Sequence, residues 1–149
     1  MSEGSAIASR LVLLVEDHSD TREMMAWWLE LNGLAVAHAR TGEEALAMLA
    51  ARAPDAITID IGLPGMSGLE LTRQLRQHPV TRAVPIVAIT GWASERDVER
   101  AHEAGCDVVL TKPCPPDTLL AEIRRLLSRG AEPSAVQPGG ARSTGQIVE

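Results

Sequence analysis

Five polar residues end apolar runs along the chain: Glu16 and Asp17 follow the run at 11–15, Asp60 the run at 56–59, Thr90 the run at 85–89 and Lys112 the run at 108–110. Three carboxylates brought together repel one another, and one must stay protonated unless a cation joins them. A donor set of oxygens, without His or Cys, suits a hard ion, and Mg²⁺ is the natural choice if a phosphate completes its shell. Lys112 is a mobile point charge that can pair with a phosphate oxygen or a carboxylate, and the Thr90 hydroxyl can donate to the same oxygen. A carboxylate can act as nucleophile and form an aspartyl phosphate. Positioning and charge neutralisation do most of the work in phosphoryl transfer. The five residues therefore carry the parts of a phosphoryl-transfer site, provided that the fold gathers them.

The elements needed to gather them are legible. Residues 11–15 are a continuous apolar run, as expected of a strand buried on both faces. Asp20 and Glu23 have capping-box spacing, Met25, Trp28 and Leu29 share a helical face, and Gly33 ends that helix. Leu34 and Val36 alternate with alanines, as in a strand nearer an edge. Thr41 and Glu44 repeat the capping box, and Ala53-Pro54 closes the second helix. Ser67 and Glu70 cap a third helix that His78-Pro79 stops. Ser94 opens a fourth helix that Gly105 ends, and Pro115 and Pro116 suit the first turn of a fifth. Strand and helix alternate about five times, which means a parallel sheet covered on both faces. The expected fold is α/β, a flavodoxin-like doubly wound five-stranded sheet of order 2-1-3-4-5. Its ligand crevice lies beyond the carboxyl ends of strands one and three, where Glu16, Asp17 and Asp60 would meet.

Composition narrows the classes. The 149 residues are 45% hydrophobic and 23% charged, as in an ordinary globular domain. Phe and Tyr are absent, so the core must be aliphatic. A net charge of −6 speaks against nucleic-acid binding. Cys106 and Cys114 form neither a disulfide scaffold nor a zinc motif, and Cys114 reads as an inert small residue. No signal peptide or run of about 20 apolar residues is present, so a cytoplasmic protein without a membrane anchor is expected. Residues 1–9 read as a flexible start, 10–129 as the domain and 130–149, rich in Gly, Pro, Ser and Ala, as a disordered tail.

The Glu16-Asp17 pair, the run Asp60-Ile-Gly-Leu-Pro-Gly-Met-Ser-Gly68, Thr90-Gly91 and Lys112-Pro113 resemble the bacterial response-regulator receiver domains of two-component signalling. The resemblance covers about residues 10–129, and four elements in order are far more specific than one. It implies that Asp60 is the phosphoacceptor. It implies that Asp17 and Asp60 hold Mg²⁺ directly, with Glu16 helping through water and the Gly62 carbonyl as a third protein ligand. Thr90 and Lys112 would bind the phosphoryl oxygens, and the Lys112-Pro113 bond would be cis. The implied donor is a sensor histidine kinase or a histidine phosphotransfer protein. The expected protein is a stand-alone regulator, monomer or weak dimer, that signals to a downstream protein effector or relays the phosphate.

Some positions depart from the family. Many members have Tyr or Phe three residues before the lysine, where this chain has Val109, and often Phe after Lys-Pro, where it has Cys114. Gly62 and Trp92, each two residues past a site residue, border the phosphoryl position in the family; Gly62 leaves one side open to water and Trp92 could shield the other. Two other functions compete. A haloacid-dehalogenase-like phosphatase needs a second aspartate two residues after its nucleophile, where Gly62 stands, and its later acids follow the lysine rather than precede it. A receiver fold used only for binding would not need the acids and the lysine. Plainer roles also exist: Asp60 as a strand-end cap, Lys112 as a surface lysine, Thr90 as a helix cap. Their joint placement at strand ends favours chemistry. His18, His38, His78, His102, Arg124, Arg125 and Arg129 read as solvated surface. Trp27 and Trp28 are adjacent, so one of them must face outward.

Overall fold

A computed structural model describes residues 9–91, 94–131 and 147–148. Strands β1 (Leu11–Val15), β2 (Ala35–Ala39), β3 (Ala56–Asp60), β4 (Ile86–Thr90) and β5 (Val108–Thr111) alternate with helices α1 (Ser19–Leu31), α2 (Gly42–Met48), α3 (Gly68–Gln77), α4 (Glu95–Ala104) and α5 (Pro116–Ala131). All neighbouring strands are parallel, and the order of these five is 2-1-3-4-5 as expected. A sixth strand, β6 (Ile147–Val148), pairs in parallel with β5 at Val109 and Leu110. The sheet is thus one short strand wider than expected, and this strand falls in the segment that reads as a disordered tail; the rest of 132–149 lies outside the described residues, as does Trp92.

Successive strand residues point to opposite faces, which divides the core in two. Leu13, Val15, Ile57, Ile59, Ile86, Ala88 and Val109 pack under α2, α3 and α4. Val12, Leu14, Ala56, Val87, Ile89, Val108 and Leu110 pack under α1 and α5. Each fully buried Leu or Ile contributes roughly 1.5–3 kcal/mol, so the aliphatic sheet supplies the adhesion that aromatics would otherwise bring. Trp27 is the outward-facing one of its pair at 60% exposure, while Trp28 packs against the α1/α5 side.

The helix ends depart from expectation in two places. The N-cap of α1 is His18, not Asp20, and no side chain caps it. Its backbone N–H is taken instead by Glu16 Oε2 at 3.1 Å, and Asp20 lies in the first turn, where a carboxylate suits the helix dipole. Helix α2 stops at Met48, well before Ala53-Pro54, because its last turn tightens to three-residue bonds, Leu49 to Leu46, Ala50 to Ala47 and Ala51 to Met48. Thr41, Ser67 and Ser94 cap α2, α3 and α4 through their side-chain oxygens, as their spacing indicates. His78 and His102 are half-buried rather than solvated: His78 Nδ1 accepts the Val80 N–H at 3.1 Å, and His102 Nδ1 lies 3.0 Å from the Cys106 carbonyl.

Candidate functional site

Parallel strands in register bring their carboxyl ends to one edge. Asp60 is the last residue of β3 and faces Ile89, while Thr90, the last of β4, faces Thr111. Glu16 and Asp17 follow β1 directly, and Lys112 follows β5. Helices α1 and α3, which follow β1 and β3, leave for opposite faces of the sheet, which opens the crevice between these two strands.

Asp60 is 4% exposed, yet both its oxygens are engaged. Lys112 Nζ lies 3.1 Å from Oδ2, and the Gly62 N–H donates to Oδ1 at 3.0 Å. The lysine is more than one-third exposed, so its ammonium can follow a charge that grows on the buried acid. Glu16 is buried beside Asp60. Burial raises the pKa of its carboxyl above the ordinary value, the Asp60 carboxylate adds to this, and the His18 N–H and Lys112 partly oppose it. Asp17 is more open, and ligating atoms of Glu16, Asp17 and His18 lie within 4.8 Å of one another. Thr90 is buried at the end of β4, and its carbonyl accepts the Lys112 N–H at 2.9 Å, which ties the two phosphate-binding candidates together. Gly62 is exposed in the loop that follows β3. The Lys112-Pro113 peptide is cis.

The oxygen donors fit a hard divalent ion. Glu16 is held in a place that disfavours its charge, and a cation between it and Asp60 reverses that penalty. Two opposite effects follow for Glu16→Gln. A carboxyl whose folded pKa is raised stabilises the fold below its unfolded value, near 4.5, and loses that contribution as pH rises through the folded value. At pH 7 without metal the variant should therefore melt higher than wild type, with the gap closing toward pH 4. With Mg²⁺ the order should shrink or invert, because the variant binds the ion less well. Thermal scans at both pH values, with and without Mg²⁺, read both effects; a variant that melts lower at pH 7 without metal would count against this account.

Two supporting residues carry weaker sequence signals. Arg22 is 8% exposed, and its Nη1 donates to the Glu16 carbonyl at 3.0 Å, so a buried guanidinium holds the turn that bears the acids. Its helical spacing from Met25, Ala26 and Leu29 marks it as inward-facing, which the periodicity alone could have shown. Gly68, at the start of α3, has no room for a side chain: a Cβ there would lie 2.6 Å from Ile61 Cα and 2.7 Å from the Asp60 carbonyl oxygen. Both obstacles are backbone, so no rotamer relieves them. Gly68→Ala should cost about 1–3 kcal/mol by overpacking and shift the Asp60 loop; urea unfolding checks it, and a stability equal to wild type would contradict the close approach.

The profile of the response regulator receiver domain matches residues 12–124. The chain is 36% identical over 129 residues to the phosphate regulon transcriptional regulatory protein PhoB of Escherichia coli K12, covering 87% of this chain but 56% of that protein. It therefore spans little more than half of that relative's length. It is 34% identical over 105 residues to the polar-differentiation response regulator DivK of Brucella ovis, covering 70% of this chain and 85% of that one. Among solved structures, chemotaxis protein CheY4 of Vibrio cholerae superposes with a TM-score of 0.77 at 31% identity, covering 80% of this chain and 99% of that one. The receiver domain of a sensor histidine kinase of Pseudomonas aeruginosa PAO1, with a magnesium ion coordinated in its active site cleft, gives 0.74 at 30% identity, covering 81% and 99%.

Proposed function

The chain belongs to the response regulator receiver domain family, and from that premise we propose that it accepts a phosphoryl group on Asp60 from a sensor histidine kinase or a histidine phosphotransfer protein. The observation that carries this reading is the buried Asp60 carboxylate with Lys112 Nζ at 3.1 Å and Glu16 beside it. A carboxylate oxygen of Asp60 attacks the phosphorus of a phosphohistidine. The new O–P bond forms as the P–N bond breaks, and the electron pair returns to the imidazole nitrogen. Lys112 leaves its pairing with the free carboxylate for a phosphoryl oxygen, and the Thr90 hydroxyl donates to another. Asp17 and Asp60 directly, Glu16 through water and the Gly62 carbonyl would hold Mg²⁺. When bound, the ion neutralises the charge gathered on the phosphoryl oxygens.

The chain is a phosphoacceptor switch rather than a turnover enzyme, and it catalyses its own loading and unloading. A haloacid-dehalogenase-like phosphatase would need an acid where Gly62 stands. The output is a protein contact or onward relay of the phosphate, without nucleic-acid binding, by a monomer or weak dimer. Val109 is wholly buried against the α2–α4 side, so the position where many members carry Tyr or Phe has no ring to change position here. No helix among the described residues is long and apolar enough to cross a membrane, and we place the protein in the cytoplasm.

Incubation with a small phosphodonor such as acetyl phosphate, followed by intact mass measurement, tests the reading. A single phosphoryl adduct that needs Mg²⁺ is expected. A folded sample that binds Mg²⁺ and takes no adduct would return the chain to the binding-module reading.

A further inference from the structure

A cavity of about 490 Å³ opens from the phosphoacceptor, and the phosphoryl chemistry uses only its polar end, at Glu16, Asp60 and Lys112. That is within the usual size of small-molecule sites, about 300–1,000 Å³. Its walls are apolar, with Leu14, Met25, Ile89 and Pro113 among them, and the half-exposed Met24 stands at its rim. Methionine walls adapt to a ligand's shape. One end is polar, where the carboxylates of Glu16 and Asp60 meet the ammonium of Lys112. Thr58 also lines the cavity, and it is on the same strand and the same face as Asp60, about 6.6 Å deeper by the rise of two residues. It is 1% exposed, and its hydroxyl has no hydrogen-bond partner among the described residues. A buried hydroxyl without a partner is costly, and a ligand atom that reaches it removes the cost.

We propose that this cavity binds a small amine with an apolar body and a hydroxyl at its far end. The ammonium sits with Glu16 and Asp60, where carboxylates outnumber cations, the body lies along Met25 and Ile89, and the hydroxyl bonds Thr58 Oγ1. A carboxylate head is excluded by the same surplus of negative charge. Binding by itself rests on the cavity. Its competition with Mg²⁺, and hence its restraint of phosphorylation, rests on the phosphoacceptor reading.

Calorimetric titration of the full chain with tyramine tests the proposal, beside phenethylamine, which lacks the hydroxyl, and 3-(4-hydroxyphenyl)propionate, which lacks the cation. Saturable one-to-one binding of tyramine is expected, with phenethylamine about tenfold weaker, the order of one buried hydrogen bond, and no binding of the acid. Saturating Mg²⁺ should weaken tyramine, and Cys114→Phe, which fills the cavity from its wall, should abolish binding. Should that variant fold poorly, protection of the wild-type Cys114 thiol from alkylation by tyramine replaces it. No saturable tyramine binding, equal binding of the acid, or neither loss in the variant nor protection of the thiol overturns the proposal, and indifference to Mg²⁺ in a chain that loads phosphate overturns the competition. The phosphodonor assay without amine runs in parallel. Phosphorylation without amine binding overturns this inference alone, and amine binding without phosphorylation overturns the functional reading alone.

Discussion

Asp60→Asn is expected to take no phosphoryl adduct at any Mg²⁺ concentration, while Asp17→Asn takes it once Mg²⁺ is raised. The two acids stand at adjacent strand ends, and the proposed function gives them different work. In the proposed function Asp60 supplies the attacking oxygen, and its carboxylate is held by Lys112 at 3.1 Å and the Gly62 N–H at 3.0 Å. An amide in its place keeps the shape, loses the charge and cannot form the acyl phosphate. Asp17 is more exposed, and in the proposed function it holds the ion. Its loss leaves the nucleophile intact and should raise the Mg²⁺ needed for half-maximal loading at least as much as loss of an outer-shell partner does, about 10–100-fold. Intact mass measurement across a Mg²⁺ series separates the two. An adduct of wild-type yield on Asp60→Asn would move the acceptor elsewhere and overturn the assignment. Equal and complete loss in both variants would show that the acids do not divide the work in this way.

The second large effect lies at the other end of the sheet. Arg76, near the end of α3, spreads its guanidinium over the connections that start β4 and β5. Its Nε donates to the Gly105 carbonyl at 2.9 Å, and Nη2 pairs with Asp107 Oδ2 at 2.9 Å. Nη1 lies 3.1, 3.1 and 2.7 Å from the carbonyls of Thr81, Arg82 and Val84. Nη1 has two hydrogens for these three acceptors, so they share it, and the Val84 carbonyl holds the shortest bond. Asp107 Oδ2 in turn accepts the Ile86 N–H at 2.8 Å, so one side chain fastens α3, the α4–β5 turn and the first residue of β4. Gly105 makes room for it: its φ is +121°, and a Cβ there would lie 2.5 Å from Arg76 Cγ. Arg76→Met takes the donor from several carbonyls at once and the cation from the Asp107 carboxylate. A loss of about 3 kcal/mol is expected, seen as a fall in Tm of roughly 10 °C. Arg76→Lys should recover little, because an ammonium cannot reproduce the planar fork. Since the clamp is remote from Asp60, the folded variant should still load phosphate at low temperature. A Tm within a degree or two of wild type would mean that the bonds contribute nothing net.

The alternation of apolar strands with capped helices determined the fold class, since runs such as Leu11–Val15 carry no solvent face and can only be covered on both sides. The same reading located Glu16, Asp17, Asp60, Thr90 and Lys112 at strand ends, because a polar residue directly after a buried run has nowhere else to be. Local spacing also gave the caps of α2, α3 and α4, which involve residues three apart. The cap of α1 was misplaced because Glu16, outside the helix, takes the His18 N–H, and that contact depends on how the chain turns after β1. The sixth strand and the Arg76 clamp were not legible for a similar reason. Ile147 meets Val109, and Arg76 meets Asp107, across long stretches of chain, and no periodicity records such a meeting. Which acid is buried and which is open, and that Thr58 ends beside a cavity without a partner among the described residues, were decided only by tertiary packing. A side chain's type limits what it can bond, but the depth at which the sheet and helices enclose it sets its charge, its solvent and its neighbours.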